Sequence, residues 1–169
     1  KWEYDKAGRM TKVIDPKNQA TTFAYDHQNR QTTQTCADSY AITYTYDLNS
    51  NISTRTDQNA TAVTYAYDLA NRLTQKSLSI SAAHIKGEST GATFAYDALN
   101  RLTLATDTDS RVLYTYNTAG LVESEQEQYG AWHVTCETGK TVEWDYNAQG
   151  LVSAVRYPGA TESVDQLDY

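Results

Sequence analysis

The sequence predicts an all-β protein, an antiparallel meander of repeated β-hairpins forming a curved, solenoid-like single sheet. Three observations carry that reading. An aromatic residue, followed two positions later by Tyr and then by Asp or Asn, occurs seven times in 169 residues. The Tyr falls at positions 4, 25, 46, 67, 96, 116 and 146, giving steps of 21, 21, 21, 29, 20 and 30. Each copy then closes on the turn recipe Asp/Asn-x-x-Gly/Asn, with only Asp47-Leu48-Asn49-Ser50 departing from its last position.

The first unit, Trp2-Glu3-Tyr4-Asp5-Lys6-Ala7-Gly8-Arg9, sets the pattern. Rings at i and i+2 share one face of a strand, and the residue between them faces the other way. Asp5 supplies a side-chain acceptor that caps a turn, and Gly8 tolerates a left-handed backbone, so the chain returns through a type I turn with a G1 bulge. The second unit repeats this with Phe23, Tyr25, Asp26, Asn29 and Arg30; in the third, Tyr44, Tyr46 and Asp47 precede Asn51, which stands in the place of Arg. Tyr65, Tyr67, Asp68, Asn71 and Arg72 form the fourth, and Phe94, Tyr96, Asp97, Asn100 and Arg101 the fifth. In the sixth (Tyr114, Tyr116, Asn117, Gly120) and seventh (Trp144, Tyr146, Asn147, Gly150) the Arg is replaced by Leu121 and Leu151. Two strands per unit give on the order of fourteen strands.

The organisation expected is one array over residues 1–169, with insertions near 77–91 and 123–140. The first reads as a lengthened connection. The second, from Glu123 to Cys136, reads as extended strands around a hairpin tip near Gly130, with Glu123, Glu125 and Glu127 forming a solvated acidic edge. Leu167-Asp168-Tyr169 reads as the start of an eighth unit. Because the chain opens at Lys1 inside a repeat and stops inside another, it reads as cut from something longer. Its outer strands are expected to pair with further repeats or with a second copy through their edges.

Composition limits the core. Leu, Ile, Val and Phe together number 27, a level at which highly charged chains are disordered, but 14 Tyr, 3 Trp and 24 Thr in register are strong strand formers. The apolar mass is a stripe of rings, so one sheet with an aromatic face and a polar face is expected in place of a thick sandwich. The net charge of −7, without a basic cluster, argues against a nucleic-acid partner. No segment is long and apolar enough for a membrane span.

Catalytic and metal constellations are not found in the residues. His27, His84 and His133 are scattered, and His133 with Cys136 is half of what a structural zinc site needs. The repeated Asp residues stand in like turn contexts, which is the signature of capping; an active site is built once. Cys36 and Cys136 are free to pair or to remain thiols. No cofactor is expected.

The units Tyr67-Asp68-Leu69-Ala70-Asn71-Arg72-Leu73-Thr74 and Tyr96-Asp97-Ala98-Leu99-Asn100-Arg101-Leu102-Thr103 resemble the YD repeats of the Rhs family. The resemblance covers nearly the whole chain. It implies a spiralling sheet of hairpins that forms a hollow shell, as in bacterial polymorphic toxins and in the B and C components of insecticidal toxin complexes, with teneurins as relatives. It further implies a secreted or cell-surface location after export, a C-terminal toxin as cargo, and a non-enzymatic wall of which this chain is a fragment. The family's Asp-Pro-x-Gly self-cleavage segment is not matched: Asp15-Pro16 lacks the Gly and sits at the wrong end. The alternative reading is an extracellular adhesion or glycan-binding surface, with carbohydrate stacked on Tyr44, Tyr46, Tyr65 and Tyr67. Rings in register are explained at less cost by rung-to-rung packing.

Overall fold

The computed structural model describes residues 1–79, 90–129 and 140–157. Contacts divide the chain into two compact units, Lys1–Glu88 and Ser89–Tyr169. Each is an antiparallel meander in which every strand pairs with its sequence neighbour.

The first unit holds β1 (Trp2–Tyr4), β2 (Met10–Ile14), β3 (Ala20–Tyr25), β4 (Gln31–Thr35), β5 (Ala41–Tyr46), β6 (Ile52–Thr56), β7 (Ala62–Tyr67) and β8 (Leu73–Ser79). The second holds β9 (Gly91–Tyr96), β10 (Leu102–Thr106), β11 (Ser110–Tyr116), β12 (Val122–Tyr129), β13 (Lys140–Tyr146) and β14 (Val152–Arg156). Fourteen strands and no helix among the described residues match the fold class read from the repeats. Each Tyr-Asp hairpin has a register shift beside its Tyr, as between Ala24 and Tyr25 and between Thr45 and Tyr46, so one extra residue of the returning strand is bulged.

The pleat sorts side chains onto two unlike faces. On one, Phe23 stands opposite Gln34, Tyr44 opposite Arg55 and Tyr65 opposite Lys76. On the other, Thr22 pairs with Thr35, Thr33 with Thr43, Thr43 with Thr56, Thr54 with Thr64 and Thr64 with Ser77. From β3 to β8 the paired positions of this second face carry only Ala, Thr, Ser and Gln75, with no charge. Some of its hydroxyls satisfy one another, Thr45 Oγ1 with Ser53 Oγ at 2.8 Å in the first unit and Thr93 Oγ1 with Thr106 Oγ1 at 2.7 Å in the second.

A single layer buries little. No described hydrophobic residue is fully buried, and the Tyr ladder, expected to pack rung to rung, is half-buried at Tyr25, Tyr46, Tyr67 and Tyr96, while Tyr4 is 61% exposed. The reason is geometric: a ring packed against neighbouring rungs of one sheet keeps one side toward solvent.

The acidic stretch also differs from expectation. β12 is an interior strand, paired with β11 on one side and β13 on the other, and its Glu125 and Glu127 are half-buried, Glu125 accepting from Tyr114 Oη at 3.3 Å. Only Glu123, the bulged residue, is exposed. The expected tip near Gly130, His84, His133, Cys136 and the eighth unit at 167–169 lie outside the described residues. Cys36 is a half-exposed free thiol.

Candidate functional site

The repeated side chains converge along one edge of each meander, where every Tyr-Asp hairpin turns. Asp26 Oδ1 accepts from the backbone N–H groups of Gln28 and Arg30, both at 2.9 Å, and the Asn29 N–H donates to the Asp26 carbonyl at 3.1 Å. That closure puts the fourth turn residue in the left-handed region, with φ of 78° at Gly8, 65° at Asn29, 69° at Ser50, 60° at Asn71, 65° at Asn100, 84° at Gly120 and 78° at Gly150. Asp5, Asp47, Asp68, Asp97, Asn117 and Asn147 cap their turns in the same way.

The second carboxylate oxygen takes the Arg. Arg9, Arg30, Arg72 and Arg101 donate from Nε to Oδ2 of Asp5, Asp26, Asp68 and Asp97 at 2.7, 2.7, 2.6 and 2.6 Å. The guanidinium then reaches one rung ahead. Arg9 Nη1 donates to the Asp26 carbonyl at 3.2 Å and to Asn29 Oδ1 at 2.8 Å; Arg30 Nη1 donates to the Asp47 carbonyl at 3.3 Å and to Ser50 Oγ at 3.1 Å. The same guanidinium lies over the next ring, Arg9 at 4.9 Å from the Tyr25 centroid, Arg30 at 4.5 Å from Tyr46 and Arg101 at 4.3 Å from Tyr116.

The ring answers in the opposite direction. Tyr25 Oη donates to the Met10 carbonyl at 2.8 Å, Tyr46 to Gln31 at 2.6 Å, Tyr67 to Ile52 at 3.1 Å, Tyr116 to Leu102 at 2.6 Å and Tyr146 to Val122 at 2.7 Å. Each acceptor begins the returning strand beside the bulge, where ladder pairing is interrupted. Where Arg is missing, Asn51 Nδ2 spans a shorter gap, to Asp47 Oδ2 at 3.0 Å and to Asn71 Oδ1 at 2.9 Å.

These contacts set the carboxylates. The Arg9 backbone N–H, and then its side chain, hold Asp5 below the ordinary value of 3.8, and the corresponding Arg72 and Arg101 groups do the same for Asp68 and Asp97. At Asp26 desolvation pushes upward, but the backbone and side-chain donors of Arg30 and the Gln28 N–H together outweigh it. Asp47 is lowered chiefly by the Asn51 amide. Burial pushes the phenols of Tyr46 and Tyr67 upward.

One set of turns was not foreseen. Asp15 and Asp57 cap turns of the opposite edge by the same two N–H bonds, with Asn18 and Ala60 left-handed at φ of 61° each, and Asp107 caps a turn one residue shorter, accepting from the N–H groups of Asp109 and Ser110. The available signal was an Asp ten residues after Asp5, Asp47 and Asp97. Asp15-Pro16 is thus a turn cap followed by the residue that fixes its φ. Cys36 takes the cap position in the turn between β4 and β5, where Asp38 Oδ1 accepts from Tyr40 N at 3.3 Å.

Fold and ladder together define a tandem β-hairpin repeat protein whose rungs are coupled by Asp–Arg–Tyr contacts. The family model described as RHS Repeat matches residues 4–41 of this chain. No curated protein matches it. Among solved structures, TcdB2-TccC3 without its hypervariable C-terminal region is similar over 96% of this chain (TM-score 0.75, 13% identity, 9% of that chain). TcdB2-TccC3-Cdc42 is similar over 91% (0.71, 13%, 9%), and the Photorhabdus luminescens Tc holotoxin pore over 96% (0.56, 13%, 12%). At this identity the likeness is one of fold, and the chain spans about a tenth of each of these chains.

Proposed function

We propose that this chain is a non-enzymatic segment of a β-sheet wall that encloses or shields a toxin polypeptide, in a protein that works outside the cell after export. The observation carrying this reading is that the repeated polar groups are used up in holding rungs together: the Asp carboxylates bond their own turns, the Tyr hydroxyls bond the rung before, and the Arg side chains hold the Asp caps or reach ahead. The charge-free Ala/Thr/Ser face of β3 to β8 supports it, since such a face gives an enclosed polypeptide little to grip. Its partners would be further repeats of the same wall, a second copy through a sheet edge, and the cargo. The glycan-binding alternative is less well supported: Tyr44, Tyr46, Tyr65 and Tyr67 are half-buried, so these four rings are not offered fully open to a sugar. The test is limited proteolysis of the full reading frame. Cleavage of a downstream toxin segment only after the wall is unfolded is expected; cleavage at equal rates with the wall intact would overturn the reading.

A further inference from the structure

Six of the seven turns fall into two chemical sets of one shape. Asp5, Asp26, Asp68 and Asp97 each cap a turn whose returning strand starts with Arg, and Asn117 and Asn147 cap turns where that Arg is Leu121 or Leu151. Charge has left as a pair. The cap itself is kept: Asn117 Oδ1 accepts from Ala119 N at 3.0 Å and Leu121 N at 3.1 Å, against 2.8 and 2.9 Å for Leu99 N and Arg101 N at Asp97. A Cβ on Gly150 would meet Leu121 Cδ1 at 3.7 Å, so in this rung an apolar side chain lies beside the next turn. Asp47 with Asn51 is intermediate, its carboxylate retained and its cation gone.

We propose that the array carries a polarised acid release, in which the Asp-capped hairpins β1–β2, β3–β4, β5–β6, β7–β8 and β9–β10 loosen together in acid while the Asn-capped hairpins β11–β12 and β13–β14 hold. Protonating a cap removes the charge its guanidinium pairs with. At Arg9 and Arg30 that guanidinium also holds the next turn and lies over the next ring, so one proton weakens two rungs. The lowered native values give the sign: the contribution is fully present above 3.8 and is lost as pH falls through the depressed value.

Neighbouring groups act in known directions. Asp15, Asp57 and Asp107 cap the opposite-edge turns after β2, β6 and β10, and the N–H groups of Asp109 and Ser110 hold the Asp107 carboxyl below its ordinary value. On β12, Glu125 and Glu127 share a face with Tyr114 of β11. The pairs of Arg156 with Glu143 and Asp145, and of Lys1 with Glu3, are at the surface and change little.

Amide-exchange protection factors, corrected for intrinsic rates, test this on the whole chain from pH 7 to 2.5. Loss of protection in β1 to β10 at a pH where the β11–β12 and β13–β14 hairpins remain protected is expected; simultaneous loss throughout, or loss first in the Asn-capped hairpins, overturns the proposal. Asn117→Asp with Leu121→Arg should bring acid loss to β11–β12, and Asp26→Asn with Asp68→Asn should move the acid loss of β3–β4 and β7–β8 to lower pH or abolish it. An unchanged profile in the first, folded at pH 7 by circular dichroism, is a second refutation.

Discussion

Removing one phenolic oxygen, as Tyr46→Phe, isolates the bond that ties one rung to the rung before it. Tyr46 Oη donates to the Gln31 carbonyl at 2.6 Å from a half-buried ring, and the Arg30 contact at 4.5 Å is one that Phe retains. The net worth of such a bond is about 1 kcal/mol, rising toward about 2 if the carbonyl beside the bulge is left dry. For a chain of this size that lowers the melting temperature by roughly 2–4 °C per kcal/mol. Tyr46→Ala also removes the ring. Full burial of a large aromatic is worth about 3–5 kcal/mol, half-burial about half of that, so about 3 kcal/mol in all is expected. Tyr4→Phe is the control, because Tyr4 is 61% exposed and should cost about 0 kcal/mol. Urea unfolding followed by circular dichroism ranks the three variants. If Tyr46→Phe proves as silent as Tyr4→Phe, the rung-to-rung reading of the ladder is wrong.

Asn51→Arg should raise the urea midpoint, because it restores a guanidinium over Tyr67; the ring contact alone is worth about 0.5–1 kcal/mol. Ala60→Gly should stabilise by up to about 1 kcal/mol by relieving a φ of 61°, and Asn29→Val, at φ 65°, should destabilise by about 1–2 kcal/mol; both are read from thermal melts. Between pH 5 and 7 the turn carboxylates stay ionised, so their contribution to the unfolding midpoint should be flat there and decline only below 3.8, which a pH series of urea titrations checks.

What could be read in advance was whatever lies within one hairpin. The alternation in Phe23-Ala24-Tyr25 and the turn Asp26 to Asn29 are local, and period and left-handed position follow from sterics. What could not be read couples residues about 20 apart. Arg30 meets Ser50 and Tyr46 only because β4 and β5 pair in a particular register, and Tyr46 reaches Gln31 only because a bulge stands beside it. The turns at Asp15, Asp57 and Asp107 were missed for another reason. They lack the preceding Tyr that drew attention to their counterparts, although the cap itself was in plain view. The depth of the ladder was not legible either, because packing of rings against adjacent rungs still leaves each ring of a one-layer sheet partly wet.

Arg9, Arg30 and Arg101 lean toward the next turn or ring, and Tyr25, Tyr46, Tyr67, Tyr116 and Tyr146 lean back, so a rung has a front and a rear. Arrays of this kind can then lengthen or shorten by duplication and loss of whole Tyr-to-Tyr segments, since each joint is rebuilt from one front and one rear whatever the copy number. An insertion or deletion of any other length leaves a front without its rear, or shifts the pleat by one residue and exchanges the ring face for the hydroxyl face. Natural length variants should therefore differ by complete segments, with their excess residues confined to the connections between them.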